Sequence, residues 1–350
     1  KAKILDEVKD ILDSGQLASG KYVQSFEQNW SKLNNCKHGI AVSSGGAALE
    51  VLFRSLNLKG KEVIVPTNTF IATYNSAMFA GAKPVLADVS YKNMCLDLEN
   101  IKKKYNANTG AVCLVHIGGI ISNEIEEIKK FCDEKKIYLI EDAAQALMSK
   151  SNNYYVGTKS DIGCFSLGPT KILNTIFGGL CTTNSREFYK KLKLTRNHGV
   201  IDNFTTKWSQ LGFNFKYSDI QSKIGLSELK NINNKIANIK KIYNLYNKKI
   251  IKNKYFKLIK VNIKNGEIPI YVEALCKNKN KFIKFMSKNK IEIRKMLPSI
   301  NKAKYISNNK IFRNSKIFDK HGIFLPCGPD QNLKDIIIVT KKINEFLLRK

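Results

Sequence analysis

Apolar positions at the start of the chain recur at helical spacing, with Ile4, Leu5, Val8, Ile11 and Leu12 on one face. The rhythm then changes. Short apolar runs over residues 62–66, 84–87, 110–116 and 137–140 read as strands, and stretches of helical period lie between them. This alternation predicts an α/β fold with a mostly parallel central sheet flanked by helices. A long helical pattern over residues 219–249 carries the chain toward a second unit. Beyond residue 250, IPIYVEALC, a helix over 278–289, IEIRKML, GIFLPCG and a last helix through 335–348 predict a smaller α+β unit. The expected division is a large α/β domain over residues 1–245, N-terminal segment included, and a small C-terminal α+β domain over 246–350.

Length agrees with that picture, since a chain of 350 residues suggests about two domains and buries roughly three quarters of its unfolded surface. No run of eighteen apolar residues occurs, and the N-terminus reads as an amphipathic helix rather than a signal sequence, so a cytoplasmic protein is expected. Cys36, Cys95, Cys113, Cys132, Cys164, Cys181, Cys276 and Cys327 show no CxxC pairing and read as reduced thiols, with neither metal nor disulfides indicated. The net charge of +30 is the compositional outlier. Its lysines fall in KN and KK doublets over 102–104 and 230–310, without the arginine and aromatic spacing of a nucleic-acid groove. They are read as a solvated coat, with neither nucleic acid nor membrane as partner, while a local positive field suits a pyrophosphate ligand.

The candidate chemistry lies in the large unit. Asp142 ends the strand-like YLIEDAAQA, Lys171 follows twenty-nine residues later in DIGCFSLGPTK, and Ser166 stands five positions before that lysine. Pyridoxal phosphate (PLP) needs an amine for its aldehyde, an anion at its ring nitrogen, donors for its phosphate and cover for its ring. Lys171 is the candidate amine and proton carrier, and Asp142 the candidate anion. Gly45, Gly46 and Ala47 open a helical pattern after the strand-like IAVSS, where first-turn amides and the helix dipole suit a phosphate.

These residues also carry a resemblance. SGQLASGKYVQSFEQNW, AVSSGGAAL, VIVPTNTFIATYNSA, GAKPVLADV, LVHIGG, LIEDAAQA, DIGCFSLGPTK, RNHG, GFNFKYSDIQSKIGLSEL and LPCGP fall in the order found in the DegT/StrS sugar-nucleotide aminotransferases, and the chain resembles that family nearly end to end. The resemblance implies the fold of the fold-type I PLP-dependent transferases and transfer of an amino group, usually from L-glutamate, to a keto group on a nucleotide-linked sugar. It also implies a homodimer with shared active sites. The product would be an amino sugar nucleotide for a surface glycan such as lipopolysaccharide or capsule. By the same resemblance Lys171 is the catalytic, cofactor-linking lysine, Asp142 the ring-nitrogen aspartate and Ser166 a phosphate ligand. Gln145 matches a position that touches the ring or its hydroxyl, Phe70 the aromatic stacked on the ring, and Asn214 an asparagine that reaches the phosphate of the neighbouring subunit.

The chain departs from the family at several places. Gly46 stands where threonine is usual, Ile176 and Phe177 where a glycine-glutamate pair is usual, and Gly118 where HLYG carries an aromatic. His116 is assigned no chemical role, His198 suggests a pocket, and Arg196 is either an anion ligand or a helix cap. A near relative with histidine in place of the lysine dehydrates sugars, and Lys171 argues against that outcome. Two alternatives stay open: a non-nucleotide keto sugar or cyclitol as acceptor, and a non-catalytic regulator or nucleic-acid-associated protein that keeps the fold.

Overall fold

The structure, a computed structural model of the chain, describes residues 2–151, 154–200, 207–306 and 310–349. The chain enters through α1 (Ala2–Asp13) and α2 (Lys21–Leu33). Strand and helix then alternate through β1 (His38–Val42), α3 (Gly45–Ser55), β2 (Glu62–Pro66), α4 (Ile71–Phe79), β3 (Lys83–Ala87), α5 (Leu98–Lys102), β4 (Thr109–Val115), α6 (Ile125–Glu134) and β5 (Tyr138–Asp142). A hairpin of β6 (Lys150–Ser151) and β7 (Tyr154–Tyr155) leads to β8 (Ile162–Ser166), β9 (Gly179–Thr183) and α7 (Arg186–Arg196). In α1, Ile11 is buried and Leu12 stays exposed, while the side chains of Ile4 and Leu5 lie outside the described residues.

Seven strands form one sheet in the order β1-β9-β8-β5-β4-β2-β3. Pairing is parallel from β8 to β3, and β9 runs antiparallel to both β8 and β1. Helices cover both faces, so β4, β5 and β8 are near-continuous buried runs. The carboxyl ends of β1, β2, β4, β5 and β8 consequently share one edge, the edge where open α/β sheets present their crevice.

The long helical pattern over 219–249 is realised as two helices, α8 (Asp219–Lys230) and α9 (Ile232–Lys249), broken at Asn231. The remainder comprises β10 (Phe256–Leu258), β11 (Val272–Cys276), α10 (Lys279–Lys288), β12 (Arg294–Lys295), α11 (Arg313–His321), β13 (Gly322–Leu325) and α12 (Leu333–Leu348). Its strands make an antiparallel sheet in the order β10-β11-β13-β12. Val272, Ala274 and Cys276 pack with Tyr246 of α9, Phe282 of α10 and Ile343 of α12. The period of two then turns Tyr271 and Glu273 to the opposite face.

Two carboxylates join distant segments. Asp219 accepts the backbone N–H groups of Gly20, Tyr22 and Val23 at 2.8, 2.9 and 3.0 Å, capping α2, whose own N-cap residue has no side chain. Asp88, just beyond β3, accepts the N–H groups of Asn314 and Ser315 and the Ser315 hydroxyl at 2.9–3.0 Å, fixing the start of α11. All eight cysteines are free thiols, six of them buried. No helix among the described residues is long and apolar enough to cross a membrane.

Candidate active site

The sequence IED at the end of β5 places two neighbouring carboxylates on opposite faces of the strand. Glu141 is saturated: it accepts His116 Nε2 at 3.0 Å and the N–H groups of Gly157, Lys159 and Ser160 at 2.8–2.9 Å. Burial pushes its pKa up, but His116 and these backbone donors outweigh burial and hold it below the usual carboxylate value. Both side chains are fully buried, so His116 supports Glu141 and stands away from the cavity lining.

Asp142 faces the cavity. Its Oδ2 accepts the Thr73 hydroxyl at 2.8 Å and its Oδ1 the Ala144 N–H at 3.1 Å. Burial raises its pKa, against the lowering effect of those two donors and of the positive charge at Lys171. A buried carboxylate with so little compensation suits a cationic partner.

Beside it, Ser44 caps α3 by accepting the Ala47 N–H at 3.0 Å. That bond commits the Ala47 amide, while Gly45 and Gly46 present the first amides of the helix. Ser166 ends β8 directly opposite, and a Cβ on Gly45 would lie 2.9 Å from Ser166 Oγ. Glycine at 45 is therefore what lets the helix start approach the serine.

Between β8 and β9 the chain makes a tight loop, with Lys171 N–H donating to Gly168 O and Thr175 N–H to Leu167 O, each at 3.0 Å. Lys171 Nζ stands 5.8 Å from the centre of the Tyr271 ring, which comes from the segment before β11. The cavity these groups enclose has a volume of about 1410 Å³. One wall carries Asp142, Ser166 and Lys171, and the other Tyr271, Arg294 and Lys295. Ordinary ligand pockets run to about 300–1,000 Å³, so the space accommodates a cofactor together with a large second ligand.

Of the remaining candidates, Phe70 occupies the N-cap position of α4, is 55% exposed and lines the cavity. Gln145 lines it as well, with its Oε1 accepting the Gly118 N–H at 3.0 Å. Ala47 and Asn214 lie outside it, in an adjoining hollow of about 560 Å³ that also touches Gly46 and Phe70. Arg196 binds a carboxylate of the chain itself and lines neither hollow: it is buried and donates to Glu27 Oε1 at 2.5 Å and Ala41 O at 2.9 Å. His198 is exposed and lies outside both hollows. Thr73, Tyr271, Arg294 and Lys295 belong to the cavity or its supports and were not singled out from sequence. The signal for Thr73 was its place three residues after Phe70, within the same helical turn.

The family model described as the DegT/DnrJ/EryC1/StrS aminotransferase family matches residues 1–344. The chain belongs to this family. Within it, the chain is 29% identical over 355 residues to the UDP-4-amino-4,6-dideoxy-N-acetyl-beta-L-altrosamine transaminase of Campylobacter jejuni subsp. jejuni, covering 98% of this chain and 94% of the relative. The solved structure of Helicobacter pylori PseC, an aminotransferase involved in the biosynthesis of pseudoaminic acid, superposes with a TM-score of 0.93 at 25% identity, covering 99% of this chain and 96% of that one. The E. coli GDP-4-keto-6-deoxy-D-mannose-3-dehydratase with bound hydrated PLP shares the fold, with a TM-score of 0.89 at 22% identity over 97% of this chain and 96% of that one. The mixed α/β architecture is thus that of the fold-type I PLP enzymes.

Proposed function

We propose that the protein is a PLP-dependent aminotransferase that moves an amino group from an amino acid, L-glutamate, to a keto group of a nucleotide-linked sugar. The observation that carries this reading is one cavity holding a buried carboxylate, a lysine and a glycine-serine cradle that a Cβ at residue 45 would fill. The residues present fit the cofactor. Ser166 and the Gly45 and Gly46 amides would hold its phosphate, Asp142 would keep its pyridine nitrogen protonated, Phe70 would cover its ring and the Lys171 amine would condense with its aldehyde, releasing water. When bound, PLP supplies an electron sink for the pair released as the amino acid's Cα–H bond breaks. Once the amino acid's amine has displaced it from the aldehyde, Lys171 Nζ would be free to accept the Cα proton in the first half-reaction and to donate a proton to the sugar carbon in the second.

Lys290, Arg294 and Lys295 on the far wall suit the diphosphate of a nucleotide sugar. The division between residues 245 and 246, inside α9, separates a cofactor-holding unit from the unit that supplies this wall. Asn214 serves the phosphate of a neighbouring subunit in a homodimer, and the exposed Trp208, Leu211 and Phe213 beside it supply apolar surface for that contact. The enzyme acts in the cytoplasm, and its product feeds a surface glycan such as lipopolysaccharide or capsule.

Incubation of the PLP-loaded protein with glutamate and no acceptor tests the reading. Stoichiometric release of 2-oxoglutarate, abolished in Lys171→Ala, supports it and opens a screen of keto-sugar nucleotides. Undiminished release from Lys171→Ala would remove the lysine from the mechanism, and no release with any amino donor would reject the activity.

A further inference from the structure

We propose that Thr73 is a positioning residue for Asp142, holding that carboxylate ionised and fixing the plane it presents to the cofactor ring. The inference rests on Asp142 serving the pyridine nitrogen. Thr73 is completely buried, and its Oγ1 lies 2.8 Å from Asp142 Oδ2 and 2.8 Å from Thr69 Oγ1. An ionised carboxylate only accepts, so Thr73 gives its single hydroxyl proton to Asp142. Thr69 must then donate to Thr73, and the order is Thr69 to Thr73 to Asp142. Protonation of Asp142 would let the same chain of hydroxyls run in reverse. With Asp142 ionised, the Thr73 donation stabilises its charge and the Thr69 donation holds the Thr73 hydroxyl in that orientation.

The geometry gives Asp142 one protein donor on each oxygen, since Ala144 N–H serves Oδ1. The carboxylate is thereby kept from rotating, and each oxygen keeps a lone pair for a further donor. Thr73 sits in the first turn of α4, with its N–H donating to Phe70 O at 3.1 Å. One helical turn thus sets both the aromatic at the cavity edge and the carboxylate beneath it. The titratable groups that act on Asp142 are Lys171 from the loop after β8 and His116 after β4, with the thiols of Cys113 on β4 and Cys164 on β8 nearby. Burial pushes both thiols well up, so they stay neutral. Thr73 carries no charge of its own, so its donation to Asp142 lasts for as long as that carboxylate is ionised.

The test uses the PLP-loaded protein and two readouts, the dissociation constant for PLP by fluorescence titration and the midpoint of the acid-side transition in the bound cofactor's absorbance. Thr73→Val is expected to weaken PLP binding about tenfold and to move the transition upward by about one pH unit, because Asp142 loses its charge at higher pH. Thr73→Ser keeps the donor and is expected to stay within about twofold of wild type on binding. If Thr73→Val does not fold, Thr73→Ala carries the same expectation. Wild-type values for both readouts in the hydroxyl-free variant would overturn the proposal, as would an equal loss in Thr73→Ser. Asp142→Asn separates the levels: if it disturbs both readouts while Thr73→Val does not, the Thr73 role fails alone. If Asp142→Asn is also silent, the assignment of Asp142 to the ring nitrogen fails with it.

Discussion

Gly45 stands so close to Ser166 that a Cβ on it would lie 2.7 Å from Ser166 Cβ. The start of α3 and the end of β8 meet with no side chain between them. Gly45→Ala is therefore expected to cost about 1–3 kcal/mol of stability by overpacking and to weaken PLP binding at least tenfold, as read by thermal unfolding and fluorescence titration. Gly46 differs, since a Cβ there would meet only Ser44 Oγ at 3.8 Å. Gly46→Thr should fold as well as wild type and bind PLP several-fold more tightly, by adding a hydroxyl at the phosphate. A lowered Tm would show that the position is not open.

Ile176 has φ +70°, a left-handed conformation that a β-branched side chain adopts only under constraint. Its side chain is 56% exposed, so packing does not hold it there. Hydrogen bonds do: Asn174 Oδ1 accepts the Ile176 N–H at 2.7 Å, and Gln221 Nε2 donates to Phe177 O at 2.8 Å. Ile176→Gly should stabilise the protein by about 1 kcal/mol. Urea unfolding checks this, and an unchanged or lower midpoint would contradict strain at the residue.

Asp219 serves the N-cap amide and two first-turn amides of α2 from nearly two hundred residues away. Asp219→Ala should lower stability by about 2–4 kcal/mol, with Asp219→Asn losing less because it keeps an acceptor oxygen. Denaturant midpoints of the two variants decide the point.

Glu273 is buried on β11, and burial pushes its carboxyl up from 4.5 to about 8. Its Oε1 has no hydrogen-bond partner among the described residues, and its Oε2 fills the space where a side chain on Gly118 would begin. The folded pKa lies above the unfolded one, so between pH 4.5 and about 8 the folded protein keeps a proton that the unfolded chain has released. Stability therefore falls as pH rises through that window, by roughly 3–5 kcal/mol in all, and levels off above it. Glu273→Gln should flatten this part of the curve. Equal pH dependence in wild type and variant between pH 5 and 8, measured by urea unfolding, would contradict the assignment.

Sequence made the sheet legible because buried parallel strands are short apolar runs with turn signals between them, and Asp142 and Ser166 sit at the ends of such runs. The spacing of Lys171 after Asp142 marked the amine, the resemblance added Phe70 and Gln145, and the fold gathers these residues around one cavity. What sequence left open depended on long-range docking. The two carboxylates of IED differ only in which face of β5 they take, and Glu141 is claimed by Gly157, Lys159 and Ser160 once the next segment folds over it. Arg196 resembles a ligand for a bound anion until Glu27 of α2 is placed against it as its carboxylate partner. Tyr271 and Arg294 enter the site from the second sheet, whose orientation no local pattern specifies. The reversed strand β9 lies in a glycine-rich run with too weak an alternation to announce its direction.

The contact between Asp88 and α11 bears on the order in which the protein is made. All seven strands of the first sheet have been synthesised once residue 183 is in place. Asp88 then lacks three of its donors until Asn314 and Ser315 have been made. Domains generally begin to fold during synthesis from the N-terminal side. On the ribosome, the wall bearing Asp142, Ser166 and Lys171 can therefore form while the opposite wall is still being translated, and the cleft acquires its second side only as the last helices leave the exit tunnel.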